Sequence, residues 1–385
     1  MKKQFFFLFV LFSFSTIYSQ CNIFFPIISP DGNYIYFSSD IDGGNYQIYR
    51  ANASDFTNAT KLTDISGVDN YYPAVSPDGS LIVFQSGQYD AAAEIYIMNS
   101  DGSNLQQLTS NSVYDGYPNF SPDGTKIVFD AWDTSNYPEI FTMNIDGTDR
   151  TQLTNLGGAD WQSAPIYNPD GSKIYFSKGF NADNHYVMMD LDGTNWVNIT
   201  DPNTFGYMEW ALHFNSTGDK IIFQTSEWVG YNNGTDIVIA DSDGSNWEKI
   251  TSSTSAKYYY APSFHPINNK VYFCFYWASG SSTWSIHTMN LDGTNDIELS
   301  SCENLSIIDL LEKEKFVIFP NPVKDNLMIS IDDDFILELY DPSGRILLGS
   351  NKKQNSVSHL PSGLYIVVIK NTNNHILGYQ KIIKE

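Results

Sequence analysis

The chain is poor in cysteine, histidine and basic residues, and it has almost no long apolar run. Among 385 residues there are 3 cysteines, 6 histidines, and 21 lysines and arginines against 44 aspartates and glutamates. Three cysteines allow one disulfide at most. The shortage of base leaves a net charge of -23. A surface this acidic repels phosphate backbones, so nucleic acid is excluded as an expected partner. Four of the histidines, His185, His213, His265 and His287, fall between residues 21 and 302 without metal-ligand spacing, so no metal or other cofactor is called for. The one long apolar run is Phe5–Phe14 in "MKKQFFFLFVLFSFSTIYSQ", which has two lysines before it and small polar residues after it. That layout is a secretory signal peptide over residues 1–20, too short in its apolar part to span a bilayer. No later segment approaches spanning length, so the mature chain is expected outside the cytoplasm with no transmembrane segment.

What is present is aromatic and repetitive. Aromatic residues make up 15% of the chain and charged residues 17%, a balance that excludes general disorder. Charge divides the chain in two. Residues 21–311 hold ten basic against thirty-five acidic residues, whereas residues 312–385 hold nine of each. The expected division is residues 21–302 as one domain, 303–315 as a linker and 316–385 as a second domain.

Within the first domain one unit recurs six times, about 45 to 50 residues apart. Its first mark is a turn, "SPDG" at Ser29–Gly32, Ser76–Gly79 and Ser121–Gly124, and "NPDG" at Asn168–Gly171. An apolar triplet follows: Ile35–Phe37, Ile82–Phe84, Ile127–Phe129, Ile174–Phe176, Ile221–Phe223 and Val271–Phe273. Copies five and six keep the length of the turn but lose its letters ("NSTGD", "HPINN"). A second turn reads "DGT" or "DGS" in copies two to six, and every copy closes on an apolar residue followed by Thr or Ser, as in Leu62-Thr63 and Leu153-Thr154. Proline fixes φ and glycine accepts positive φ, so each unit reads as four short antiparallel strands, A to D. Strand B is apolar on both faces and must lie between two neighbours. Six such sheets cover one another only as a closed ring, which makes the expected fold all-β: a six-bladed β-propeller followed by a small C-terminal β-sandwich.

These residues resemble a known family. "SPDG" with its triplet, followed by "IY-MN-DG-N" and "LT", is similar to the Pro-Asp variant of the WD-type repeat in TolB-like propellers, over about residues 22–302. Such propellers serve as binding platforms, enzymes and peptidase caps, so the resemblance implies a fold more than a task. The extra N-terminal α/β domain of TolB has no counterpart here. In the tail, "FPNPVKDNLMISI", "LYDPSGRIL", "LPSGLYIVVI" and a terminal "KIIK" alternate apolar and polar residues between turns, the pattern of a small sandwich. In order and completeness they also resemble the type A sorting domain read by the type IX secretion system of Bacteroidetes. That resemblance implies the secretion machinery as a partner, passage across the outer membrane, and release or surface attachment.

Enzymatic readings find little support in the letters. A peptidase cap would precede an α/β-hydrolase domain with a Gly-x-Ser-x-Gly elbow, and that pentapeptide does not occur. A sialidase would need an arginine cluster, but the repeats contain only Arg50 and Arg150. "DLDGTN" and "DSDGSN" imitate half a calcium loop but lack its closing Glu, and they read as hairpin turns. Met98, Met143, Met189 and Met289 share one strand column and read as core filling. A carbohydrate-active enzyme using acidic residues stays open as the alternative, with no pair selected by spacing.

The expected function is therefore a non-catalytic binding module for a glycan or protein ligand. The "SPDG" and "DGT" turns share one rim and are nearly identical between copies. The D–A and B–C connections share the opposite rim and differ in every copy. That variable rim carries the candidate ligand residues Tyr71, Tyr72, Tyr117, Trp161, Tyr207, Glu209, Trp210, Tyr258, Tyr259 and Tyr260, with Asp69, Asp115 and Asp160 beside them. Rings beside carboxylates suit sugar stacking, cationic groups or a protein hot spot. Cys21 precedes strand A of copy one and Cys302 follows strand D of copy six, so a Cys21–Cys302 disulfide is expected to close the ring. In the chain-entropy model it would contribute about 4–5 kcal/mol. Cys274 would remain a buried thiol. Lipid attachment at Cys21 is disfavoured because "IYSQ" lacks the usual lead-in pattern.

The tail gives a direct test. Deleting residues 316–385 is expected to leave the repeat domain folded but held in the periplasm, because each domain has its own core. Cell fractionation checks this, and equal amounts of truncated and full-length protein outside the cell would remove the sorting assignment.

Overall fold

The computed structural model describes residues 22–65, 67–87, 93–132, 137–157, 160–179, 184–201, 207–226, 234–253, 257–277, 284–301, 316–331, 334–341, 345–371 and 376–385. The expected signal peptide and both cysteines of the expected disulfide lie outside the described residues. All regular elements among the described residues are strands. Residues 23–301 form six four-stranded antiparallel sheets, each made of four consecutive strands from one sequence repeat. The A strands are Ile23–Ile28, Asn70–Val75, Asp115–Phe120, Gln162–Tyr167, Tyr207–Phe214 and Lys257–Phe264. Each A strand packs on the sheet before it. Strand A of the first sheet packs on strands A, B and C of the sixth, so the ring is closed. D strands of the first five sheets have only 2 residues each, which leaves little exposed edge for another chain to pair with.

Burial follows the two apolar faces of strand B. No residue of the six triplets is more than 5% exposed. Ile127 and Phe129 face the second sheet, against Ala74 and Val83, while Val128 between them faces the fourth, against Tyr167 and Met189. The four methionines of the strand C column are at most 1% exposed and belong to this core.

The recurring polar letters hold the ring in register. In the A–B turn, Asp78 accepts hydrogen bonds from Ser76 Oγ (2.6 Å) and Ser80 N (3.0 Å), and the same pattern recurs at Asp31 and Asp123. These bonds hold the three carboxyls below the usual carboxylate range. In the C–D turn, Asp243 accepts from Ser245 N (2.9 Å) and Ser245 Oγ (2.6 Å), so the half-calcium-loop letters are spent on closing hairpins. The closing threonine fastens strand D to strand C. Thr154 Oγ1 donates to Glu139 Oε2 (2.6 Å) and accepts from Ile140 N (2.8 Å), and Leu156 N donates to Glu139 Oε1 (2.6 Å). Thr63 with Gln47 and Thr251 with Asp236 repeat the device. Several buried carboxylates of this acidic chain are thus framework.

The seam between the sixth and first sheets is closed by packing. Tyr272 and Ile286 of the sixth sheet share a core with Ile23, Ile35 and Phe37 of the first. Tyr272 Oη donates to Ala53 O (3.0 Å), and Cys274 Sγ donates to Ile23 O (3.3 Å). Cys274 is fully buried, and burial pushes its thiol pKa up. In the tail, a three-stranded sheet (Phe316–Phe319, Asn326–Ile331, Gln354–Ser356) and a four-stranded sheet (Ile346–Ser350, Phe335–Tyr340, Gly363–Asn371, Ile376–Lys384) contribute to one apolar core that includes Leu327, Leu337 and Val367.

Two glycines separate conformational strain from steric closeness. At Gly79 (φ 76°) a Cβ would meet only Pro30 Cδ of the preceding sheet at 3.8 Å, whereas at Gly244 (φ 85°) it would lie 1.8 Å from the carbonyl oxygen of Ile199. Gly79→Ala is expected to cost about 1 kcal/mol through φ alone. Gly244→Ala should cost about 2–5 kcal/mol, because strain and overpacking add. Urea denaturation of both variants checks the difference, and equal costs would contradict the contact between C–D turn and preceding sheet.

Candidate functional site

Each A strand breaks its pairing with strand B through a bulge. In five sheets the bulge residue precedes proline and has positive φ: Phe25, Tyr72, Tyr117, Ala164 and Ala261, at 47–56°. Bulges re-aim side chains. These residues line the ring axis around a cavity of about 70 Å³, together with Asn119 and His213. The first three sheets place rings there and the fourth and sixth place alanines. Phe25 and Tyr72 have centroids 4.2 Å apart, Tyr72 and Tyr117 3.9 Å, and Tyr117 Oη donates to Tyr72 Oη at 2.7 Å. One side of the axis is therefore filled by a three-ring stack. His213 opens part of its ring to the channel but sits deep in the protein, and burial lowers its pKa to about 4. It is neutral at neutral pH. Beyond it lies a chamber of about 200 Å³ lined by Pro30, Pro73, Asn119, Pro169 and His213.

Outside the stack, rings continue across the variable rim. From the sixth sheet, Tyr258 meets Tyr276 (5.8 Å between centroids) and Tyr276 stacks on Trp284 (5.1 Å). Trp284 meets Phe24 of the first sheet (5.0 Å), Phe24 meets Tyr46 (5.7 Å), and Tyr46 meets Tyr71 of the second (5.1 Å). Tyr71 lies 5.9 Å from Tyr72, which joins this arc to the stack, and Tyr260 touches both Trp284 (5.6 Å) and Phe25 (6.0 Å). All of these rings except Tyr117 are half-buried.

Of the residues expected on this rim, Tyr71, Tyr72, Tyr258 and Tyr260 fall in the arc. Tyr117 is 8% exposed and belongs to the channel stack beneath it. Tyr259 needs correction: strand alternation turns it to the opposite face, where it packs on Phe273 (5.7 Å) and Phe275 (5.3 Å) in the core between the fifth and sixth sheets. Trp161 is half-buried just before strand A of the fourth sheet, and its carbonyl accepts from Gly179 N (2.9 Å). Tyr207, Glu209 and Trp210 lie in strand A of the fifth sheet, with Tyr207 opposite Ser226 and Glu209 opposite Gln224, but their side chains fall outside the described residues. Sequence reasoning missed Phe24, Phe25, Tyr46, Tyr276 and Trp284. A signal existed for Phe24 and Phe25, since "FFP" of copy one aligns with "YYP" of copy two; the other three sit where strands begin or end beside variable loops.

The neighbouring carboxylates are already engaged. Asp69 accepts from Asn45 Nδ2 and Tyr46 N, both at 2.9 Å, and Asp40 accepts from the backbone and side chain of Asn22. Asp115 pairs with Arg150 (2.9 Å), whose guanidinium lies over Phe141 (4.1 Å), and Asp160 pairs with Lys178 (2.8 Å). Burial, with the Asp40 charge adding, pushes Tyr46 up to about 12, and burial with Asp69 raises Tyr71. Both phenols keep their protons. The rim thus presents uncharged ring faces and hydroxyls beside acids that are hydrogen-bonded or ion-paired within the protein.

One cluster has the order of a nucleophile relay. His287 Nε2 lies 3.0 Å from Ser285 Oγ and His287 Nδ1 lies 2.7 Å from Asp296 Oδ1. Such a relay acts only on a substrate that reaches the hydroxyl. Ser285 is 7% exposed. It also holds the strand C place that Gln47, Glu139 and Asp236 use to fasten strand D, so it belongs to the framework.

Comparison with known proteins agrees with this architecture. Residues 57–209 match the TolB beta propeller domain, and residues 317–385 match the secretion system C-terminal sorting domain. The chain carries a TolB-type propeller and a secretion sorting tail. Among solved structures it is similar to a putative TolB from Agrobacterium tumefaciens, at 25% identity and a TM-score of 0.50 over 60% of this chain and 82% of that one. TolB from Acinetobacter baumannii matches at 21% identity and a TM-score of 0.48, over 58% of this chain and 52% of that one. An oligogalacturonate lyase from Vibrio parahaemolyticus matches at 13% identity and a TM-score of 0.47, over 71% and 91%. No curated protein sequence matches the chain. The sorting tail marks the propeller for export, to the cell surface or the medium.

Stability separates arc from scaffold. Trp284 joins the sixth sheet of the propeller to the first through Phe24, so Trp284→Ala is expected to cost about 2–4 kcal/mol, somewhat less than a fully buried ring. Trp161→Ala, at a half-buried position just before strand A, should cost less, about 1–2 kcal/mol. Thermal melts check both, and a large fall for Trp161→Ala would move that ring into the core.

Proposed function

We propose that the chain is an exported, non-catalytic binding protein: a signal peptide over 1–20, a six-bladed propeller over 21–302, a linker over 303–315 and the sorting domain over 316–385. The propeller recognises a glycan or protein ligand through its variable rim. The observation that carries this reading is the aromatic arc, which among the described residues runs along one rim over the sixth, first and second sheets. Rings held by neighbouring rings offer contact area with little rotamer entropy left to lose. Asp115 and Asp160 are paired with cations, and Asp40 and Asp69 accept from amides, so the ring faces are the groups this rim offers a ligand. Sugar faces or an apolar protein patch fit that chemistry.

The competing reading is a carbohydrate-active enzyme using acids on the same face. The rim and framework carboxylates argue against it, since Glu139 and Asp236 fasten strands and the rim aspartates hold backbone amides or cations. Glycan-array binding run beside a polysaccharide activity screen tests the two readings. Binding without turnover is expected, with Tyr71→Ala and Tyr258→Ala each weakening it by roughly 1–3 kcal/mol. Turnover of any polysaccharide would overturn the binding-only reading.

A further inference from the structure

Directly after the triplet, strand B carries a column that faces the next sheet: Ser38, Gln85, Asp130, Ser177, Gln224 and Cys274, none more than 3% exposed. The column serves the strand A that follows it around the ring, where the bulge pulls backbone groups out of the ladder. Gln224 Oε1 accepts from Ala261 N (2.7 Å) at the bulge of the sixth sheet, and Cys274 Sγ donates to Ile23 O (3.3 Å) beside the bulge of the first. Gln85 Oε1 accepts from Tyr114 Oη (3.2 Å), next to strand A of the third. Five of the six members are uncharged. Asp130 alone carries an ionisable carboxyl, it is 0% exposed, and neither of its oxygens closes a hydrogen bond of good geometry.

Among the described residues no cation pairs with Asp130; Arg150, over the neighbouring Phe129 ring, is paired with Asp115. Strand A of the fourth sheet presents the Ser163 hydroxyl and the Ala164 amide, which favour ionisation without forming good bonds. Strand A of its own sheet brings Asp115, a like charge already paired with Arg150. Strand C sets Ile140 opposite Asp130, and Glu139, on the other face of the sheet, is engaged with Thr154 and Leu156. A buried, unpaired carboxylate is far costlier than a buried carboxylic acid.

We infer that Asp130 stands in the fold as a neutral carboxylic acid, equivalent to the amides and hydroxyls of its column, and makes the junction of the third and fourth sheets a pH-sensitive seam. Burial, with Asp115 adding, raises its pKa well above 3.8. The sign follows from linkage. Below the ordinary carboxyl pKa both folded and unfolded chains hold the proton, and the junction has its full stability. As pH rises, the unfolded chain releases the proton first, so stability is lost progressively up to the raised folded value and is constant above it.

Thermal melts of the mature full-length protein, Asp130→Asn and Asp130→Ser from pH 4 to pH 9 test this. Serine is the residue of the same column in the first and fourth sheets. Near pH 4 the three should melt within a few degrees of one another. The parent should then fall behind both variants by about 2 °C for each pH unit until the carboxyl ionises. Infrared difference spectra of parent against Asp130→Asn at pH 7 supply a readout independent of variant stability: a protonated carboxyl carbonyl band is expected in the parent alone. A pH-independent gap, or absence of that band, would overturn the inference.

Discussion

The structure depends on strand B having two apolar faces. A sheet with one apolar face can lie on a core and show its other side to water, whereas these sheets need cover on both sides. Repetition around an axis supplies it, with each sheet acting as core for two neighbours. Once that is fixed, the rest follows locally. The A–B and C–D turns must be tight and lie against the preceding sheet, so the first four A–B turns share Pro-Asp-Gly and the last five C–D turns share Asp-Gly. Glycine is retained where a side chain would strike a neighbouring carbonyl, as at Gly244 against Ile199.

Closing the ring has a cost at its axis. Six A strands converge there, and each bends through a bulge that removes backbone groups from the ladder. The uncharged column on strand B compensates where it reaches the next bulge, as Gln224 does for Ala261. The same bulges aim side chains at the axis, which makes them a place where copies diverge without disturbing the sheets. Three copies fill it with Phe25, Tyr72 and Tyr117, and two leave alanine. Among the described residues, the asymmetry of the channel comes from substitutions that the repeat tolerates.

Much of the fold was legible because it is periodic. The triplets, turns and closing threonines recur at nearly fixed distance, and each maps onto one strand or turn. The site was legible only in part. Tyr71, Tyr72, Tyr258 and Tyr260 were found because they cluster next to prolines in variable connections. Tyr259 misled because, in a run of three tyrosines, composition does not say which one alternation turns inward. Tyr46 and Trp284 escaped because they join the arc through neighbours from other sheets, and contact between sheets is not written in any one repeat. The engagement of the rim aspartates was equally invisible, since Asp115 meets Arg150 from 35 residues away in sequence.

The central claim is that an exported propeller uses its aromatic rim to hold a ligand. The measurement that tests it most directly is a crystal structure of the mature protein with an oligosaccharide selected by array binding. The account predicts the saccharide over the arc of Tyr258, Tyr276, Trp284, Phe24, Tyr46 and Tyr71, stacked on ring faces and hydrogen-bonded to the tyrosine hydroxyls. A saccharide seated on the "SPDG" rim or on the sorting domain would contradict it.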